Sequence, residues 1–155
     1  MENSIKFLFS GDSALVIEFG NEISVDINKK IRKMMDNIKK VNIDGIVELV
    51  PTYCSLLVNY DVLKVDYQSL VEKLQTLLND DTETVEEEEV TLIEIPTLYN
   101  DECGPDLSYV AEYNKLSKEE VVKIHTGTDY LVYMLGFMPG FTYLGGMSEK
   151  IATPR

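Results

Sequence analysis

Between Asp80 and Glu89 the chain carries seven acidic residues, no basic one, and a single apolar side chain, Val85. Four of the acids are consecutive glutamates, which repel one another and bury nothing, so this stretch cannot lie inside a core. It divides the 155 residues into two parts, each of which needs a core of its own. The organisation expected is an N-terminal domain over 1–81, an acidic linker over 82–89 and a second domain over 90–155. About eighty residues sustain a single core only marginally on surface-to-volume grounds.

The first part has a legible order of elements. Ile5 to Phe9 and Ala14 to Phe19 read as strands joined by Ser10-Gly11-Asp12-Ser13, residues that favour turns. From Ser24 to Val41, Ile27, Ile31, Met34, Met35 and Ile38 recur at helical spacing with lysines between them, which predicts an amphipathic helix. Asn42 to Gly45 breaks it. Ile46 to Val50 and Cys54 to Tyr60 form two more strands around Pro51-Thr52-Tyr53, and Pro51 belongs at a strand end, a bulge or an edge. Asp66 can cap a second helix with the stripe Tyr67, Leu70, Val71, Leu74, Leu77 and Leu78. This ββαββα order predicts an α+β unit, a small sandwich of one sheet covered on one face by two helices.

The second part opens on Val90 to Leu98, whose alternation predicts a strand with Ile93 and Ile95 on one side. Pro105 and Asp106 suit the start of a helix running to about Asn114, with Leu107, Val110 and Ala111 inward. Ser117 and Glu120 have capping-box spacing for a short helix ending near His125. A strand from Tyr130 to Leu135 leads into GFMPGFTYLGG, where five glycines or prolines among eleven residues are interleaved with Phe137, Phe141 and Tyr143. Such a composition predicts a shaped loop that holds aromatic rings in place.

Several function classes are excluded or disfavoured. A net charge of −13 opposes nucleic-acid binding, which needs cations to neutralise phosphates. The basic segment Lys29, Lys30, Arg32, Lys33, Lys39 and Lys40 is the solvated face of the first helix. No apolar run is long enough to span a membrane, and Glu2 and Asn3 after Met1 do not begin a secretory leader, so a cytoplasmic protein is expected. Cys54 and Cys103 are far apart, and His125 is the only histidine. Free thiols, buried or half-buried, and no metal site are therefore expected. The phosphate-binding glycine patterns are absent. The candidate substrate-binding residues are His125, Phe137, Phe141, Tyr143 and Arg155. Arginine can hold a carboxylate or phosphate with two hydrogen bonds.

The segments GDSALVIEFG, ELVPTYCSLLVNYD, GPDLSYVAEYNKLSKEEVVKIHT and above all YMLGFMPGFTYLGGM followed by TPR resemble the KipI/PxpB family. That family is also called allophanate hydrolase subunit 1, or carboxyltransferase subdomain C-D. The resemblance spans the whole chain. It implies that the second domain is the first part of a cyclophilin-like β-barrel, since family members continue for several more strands. It also implies a subunit of an ATP-dependent 5-oxoprolinase, which opens the lactam of 5-oxoproline to glutamate with subunits A and C as partners. Phosphorylating the lactam oxygen would create the leaving group before water attacks, and ATP would be bound by, or shared with, another subunit. The family also includes an inhibitor of a sensor histidine kinase and carboxyltransferases related to urea carboxylase. None of the five candidates is assigned as a family catalytic residue, and the acid or base is unassigned. An isolated chain with an incomplete barrel is expected to be inactive, and to self-associate through its second domain.

Overall fold

A computed structural model describes residues 5–79 and 91–154. The chain forms two compact units, whose described parts are these two ranges. The acidic linker expected over 82–89 lies outside the described residues.

The first unit is a four-stranded antiparallel sheet with two helices. Its strands are β1 (Lys6–Phe9), β2 (Ala14–Glu18), β3 (Ile46–Pro51) and β4 (Ser55–Tyr60), in the order β1-β2-β4-β3. The helices are α1 (Val25–Val41) and α2 (Tyr67–Asn79). Leu15 pairs with Val58 and Ile17 with Leu56, so these four side chains share one face of the two central strands. They are fully buried, together with Ile31 of α1 and Leu70 and Leu74 of α2. Both helical stripes therefore cover the same face, as the apolar spacing predicts. Met35, Leu77 and Leu78 pack at the margin of this core.

Local signals set the ends of these elements. Asn42 takes the left-handed conformation (φ 49°) after α1 and donates its N–H to Ile38 O, which stops the helix. Asp66 accepts from the Ser69 N–H (3.0 Å) and Ser69 Oγ (2.7 Å), the contacts of a helix N-cap. These bonds, the hydroxyl's first, hold the Asp66 carboxyl below its usual range. Pro51 ends β3, which is also an edge strand. There its missing N–H breaks no ladder.

The second unit contains α3 (Leu107–Asn114), α4 (Lys118–His125), a hairpin of β5 (Leu131–Leu135) and β6 (Thr142–Gly145), and a 3-10 turn over Glu149–Ile151. Its core is small: Ala111, Val121 and Ile151 are buried, with Leu107, Val110, Leu116 and Ile124 packed around them. Two expectations change here. Of the strand expected over Val90 to Leu98, the described residues 91–98 form no strand. Leu92, Ile93, Ile95 and Leu98 are exposed, because alternation alone makes no strand without a partner to pair with. The helix after Pro105 starts at Leu107, and Asp106 makes no side-chain cap bond. The preceding residues instead close turns, with Gly104 N–H donating to Asn100 O and Leu107 N–H to Gly104 O. Both cysteines are free thiols; Cys54 is half-buried as expected, but Cys103 is exposed, because it sits in the turn before α3. Among the described residues no helix is long and apolar enough to cross a membrane.

Candidate functional site

The hairpin loop of the second unit is built from two successive tight turns. Met138 N–H donates to Gly136 O (2.8 Å) across Phe137, whose φ is 66°. This is a γ-turn of the uncommon, strained hand. Phe141 N–H then donates to Met138 O (3.1 Å) around Pro139 and Gly140, with Gly140 at φ 78°. Proline followed by glycine supplies the backbone angles of a type II turn. Gly136 N–H donates to Phe141 O (3.1 Å) and closes the loop.

A positive φ is costly for phenylalanine. Phe137 is 83% exposed, so burial does not offset that cost within the described residues. Strain of this kind concentrates at functional sites. Phe137 meets Phe141 edge-on at 5.6 Å between ring centroids, and Phe141 meets Tyr143 at 5.3 Å. Three of the five candidate residues thus form one aromatic ladder, running from the loop tip into β6. The amides of Gly136, Met138 and Phe141 are engaged inside the loop, so it is shaped for contact with an apolar ring more than for cradling phosphate.

His125 does not join that ladder; its ring partners are Tyr99 and Tyr130. It is the last residue of α4, whose start is fixed by a complete capping box. Glu120 N–H donates to Ser117 Oγ (3.1 Å), and Ser117 N–H donates to Glu120 Oε2 (2.8 Å). Beyond His125 the chain turns at Gly127, where an added Cβ would lie 2.7 Å from Lys123 O, closer than real contacts allow. The Tyr130 hydroxyl donates to His125 O (2.8 Å), and Tyr99 Oη lies 2.5 Å from His125 Nδ1. Burial, with a smaller effect from Tyr99, raises the Tyr130 phenol above its ordinary pKa, so it keeps its proton at neutral pH. Tyr99 and Tyr130 are functional partners that the sequence reading missed. Tyr130 sits five residues from His125 across a glycine turn, a faint signal, and Tyr99 gives none. Arg155 lies outside the described residues. Among those residues no group of three or more His, Cys, Asp or Glu side chains could hold a metal ion.

The capping box carries a pH prediction. Its hydrogen bonds, the Ser117 amide's first, lower the Glu120 carboxyl below its usual value. A carboxyl depressed in the folded state contributes stability above its unfolded pKa, and that contribution is lost as pH falls through the folded value. Glu120→Ala should therefore destabilise α4 at neutral pH, with the difference from wild type shrinking in strong acid. Thermal melts at neutral and acidic pH check this; a difference independent of pH would contradict it.

Residues 5–155 match the family described as carboxyltransferase domain, subdomain C and D. The chain is 43% identical over 155 residues to the 5-oxoprolinase B subunit of Bacillus subtilis (strain 168), covering 94% of this chain and 64% of that one. Against the 5-oxoprolinase B subunit of Escherichia coli O157:H7 the identity is 34% over 148 residues, covering 94% and 65%. The chain thus spans slightly less than two thirds of the length of these relatives. The crystal structure of TTHA0988 superposes with a TM-score of 0.76 at 30% identity, over 92% of this chain and 27% of that one. The mixed helix-and-sheet architecture is therefore shared with a solved protein, and the segments singled out in the sequence fall within the matched range. The chain belongs to the carboxyltransferase domain family, subdomain C and D, the KipI/PxpB group that its motifs resemble.

Proposed function

We propose that this chain is the B subunit of an ATP-dependent 5-oxoprolinase, and that its second unit supplies part of the substrate pocket. The observation that carries the reading is the 43% identity, across nearly the whole chain, to a protein named as the B subunit of 5-oxoprolinase. The site is compatible in chemistry. Opening a lactam requires an apolar seat for a five-membered ring and donors for an oxygen that gains negative charge. Phe137, Phe141 and Tyr143 offer the seat, His125 a hydrogen-bond donor, and Arg155 a cation.

ATP is expected to bind on a partner subunit or at an interface with one, since the hairpin loop's engaged amides make a poor phosphate cradle. The partners are subunits A and C, in the cytoplasm, and the second unit is the opening part of a cyclophilin-like barrel. Its exposed Leu92, Ile93, Ile95 and Leu98 are surfaces for association, with another copy when the chain is alone. The alternatives are a regulator of a histidine kinase and a carboxyltransferase subunit. The test is reconstitution with subunits A and C, reading ADP release that depends on 5-oxoproline. Absence of turnover together with tight binding to a kinase dimerisation domain would favour the regulator.

A further inference from the structure

The environment of His125 distinguishes what its imidazole can do. A neutral imidazole has one nitrogen that donates and one that accepts, and the partner of one fixes the role of the other. Here Nδ1 faces Tyr99 Oη at 2.5 Å. A phenol carries its proton at neutral pH. Two arrangements are then available to the neutral ring. Either Tyr99 O–H donates to Nδ1 and the ring proton sits on Nε2, or Nδ1–H donates to Tyr99 and the hydroxyl proton needs another acceptor. Tyr99 Oη has no second partner among the described residues, and the side chain is half-buried. The second arrangement leaves a partly buried donor unmatched, which is unfavourable. The first leaves only Nε2–H without a protein partner, and since no buried side-chain nitrogen or oxygen lacks one among the described residues, that N–H reaches solvent.

Tyr130 does not compete for the ring, because its hydroxyl donates to the His125 backbone oxygen. The two phenol rings flank the imidazole, at centroid distances of 5.9 Å and 5.5 Å, and restrict its rotation. Nε2 has no hydrogen-bond partner among the described residues. We infer that Tyr99 is a positioning residue that locks His125 in the Nε2–H tautomer, making it a fixed hydrogen-bond donor to a substrate oxygen and not a general base. Protonation of the ring reverses the Tyr99 bond, with Nδ1–H now donating, but keeps the proton on Nε2. The donor role therefore survives in both states of the ring. A donor held in advance at an oxygen that gains charge is the arrangement that stabilises a transition state. The oxygen's identity rests on the functional reading above: the lactam carbonyl oxygen, or that oxygen carrying a phosphoryl group.

The chain has one histidine, so nitrogen-15 spectra of histidine-labelled protein report on this ring alone. In the neutral ring of the wild type, the proton should reside on Nε2. Tyr99→Phe should raise the share of the Nδ1–H form about five-fold relative to the Nε2–H form, the effect of losing one neutral hydrogen bond. Tyr130→Phe should leave that ratio unchanged, since its bond is to the backbone. A wild-type ring protonated on Nδ1, an unchanged ratio in Tyr99→Phe, or an equal shift in Tyr130→Phe would each overturn the inference. In the reconstituted complex His125→Gln, which keeps a side-chain donor, should retain more turnover than His125→Ala; equal loss would count against the donor role. The spectra need neither substrate nor partner. Failure of 5-oxoproline turnover would therefore defeat the functional reading while leaving the tautomer assignment to stand or fall on its own.

Discussion

Leu74→Ala should cost the first unit about 2–5 kcal/mol, the range for deleting a fully buried leucine from a packed core. Leu74 has no exposed surface and sits in one cluster with Leu15, Ile17, Leu56 and Val58 of the sheet and Ile31 of α1. Removing three heavy carbons there takes away their transfer free energy and leaves a cavity that the sheet and both helices can close only in part. A unit of this size has a total stability of roughly 4–11 kcal/mol, so the loss is a large fraction of the whole. Leu63 provides the control: it is the same residue type, 93% exposed, and its replacement by alanine should change stability by no more than about 0.5 kcal/mol. Urea unfolding followed by far-ultraviolet circular dichroism compares the two variants. Equal midpoints would mean that α2 does not carry the core packing assigned to it.

The second large effect belongs to the hairpin. Gly145→Ala should destabilise it by about 1–3 kcal/mol through overpacking. An added Cβ at Gly145 would collide with Tyr133 Cε2 and lie 3.1 Å from Cδ2. Tyr133 is buried on β5, at the register shift between Val132 and Met134, where the bulge turns its ring over the neighbouring strand. The cost therefore comes from one identified contact, which makes it separable. Tyr133→Ala removes the obstruction, so the double variant should be less destabilised than the sum of the two single changes. Hydrogen exchange of the β5 and β6 amides measures this; strict additivity would contradict the contact. Gly140 is a contrast, since nothing lies near its added Cβ and only its positive φ resists substitution.

The first unit was legible in the sequence because its helical stripes coincide with burial: Ile27, Ile31, Met34 and Ile38 recur at helical spacing and all face the sheet. Its turns and caps are local, and Asn42, Asp66 and Pro51 act on their own neighbours. In the second unit the inward stripe of α3, the strand ending at Leu135, the Ser117–Glu120 box and the Pro139-Gly140 turn were legible, because each is a local signal. Residues 91–98 alternate as a strand should, yet pairing is a property of two segments and the sequence shows one. The aromatic ladder could be anticipated from the composition of its loop. The Tyr99–His125 pair could not, because 26 residues separate its members and only the packing of the unit brings them together.

Service in a 5-oxoprolinase is tested most directly by ADP release from the chain assembled with subunits A and C, measured with and without 5-oxoproline and with this chain omitted. Release should require both 5-oxoproline and this chain, and Phe141→Ala should raise the KM for 5-oxoproline. Release that ignores 5-oxoproline, or that continues at full rate without this chain, would contradict the assignment.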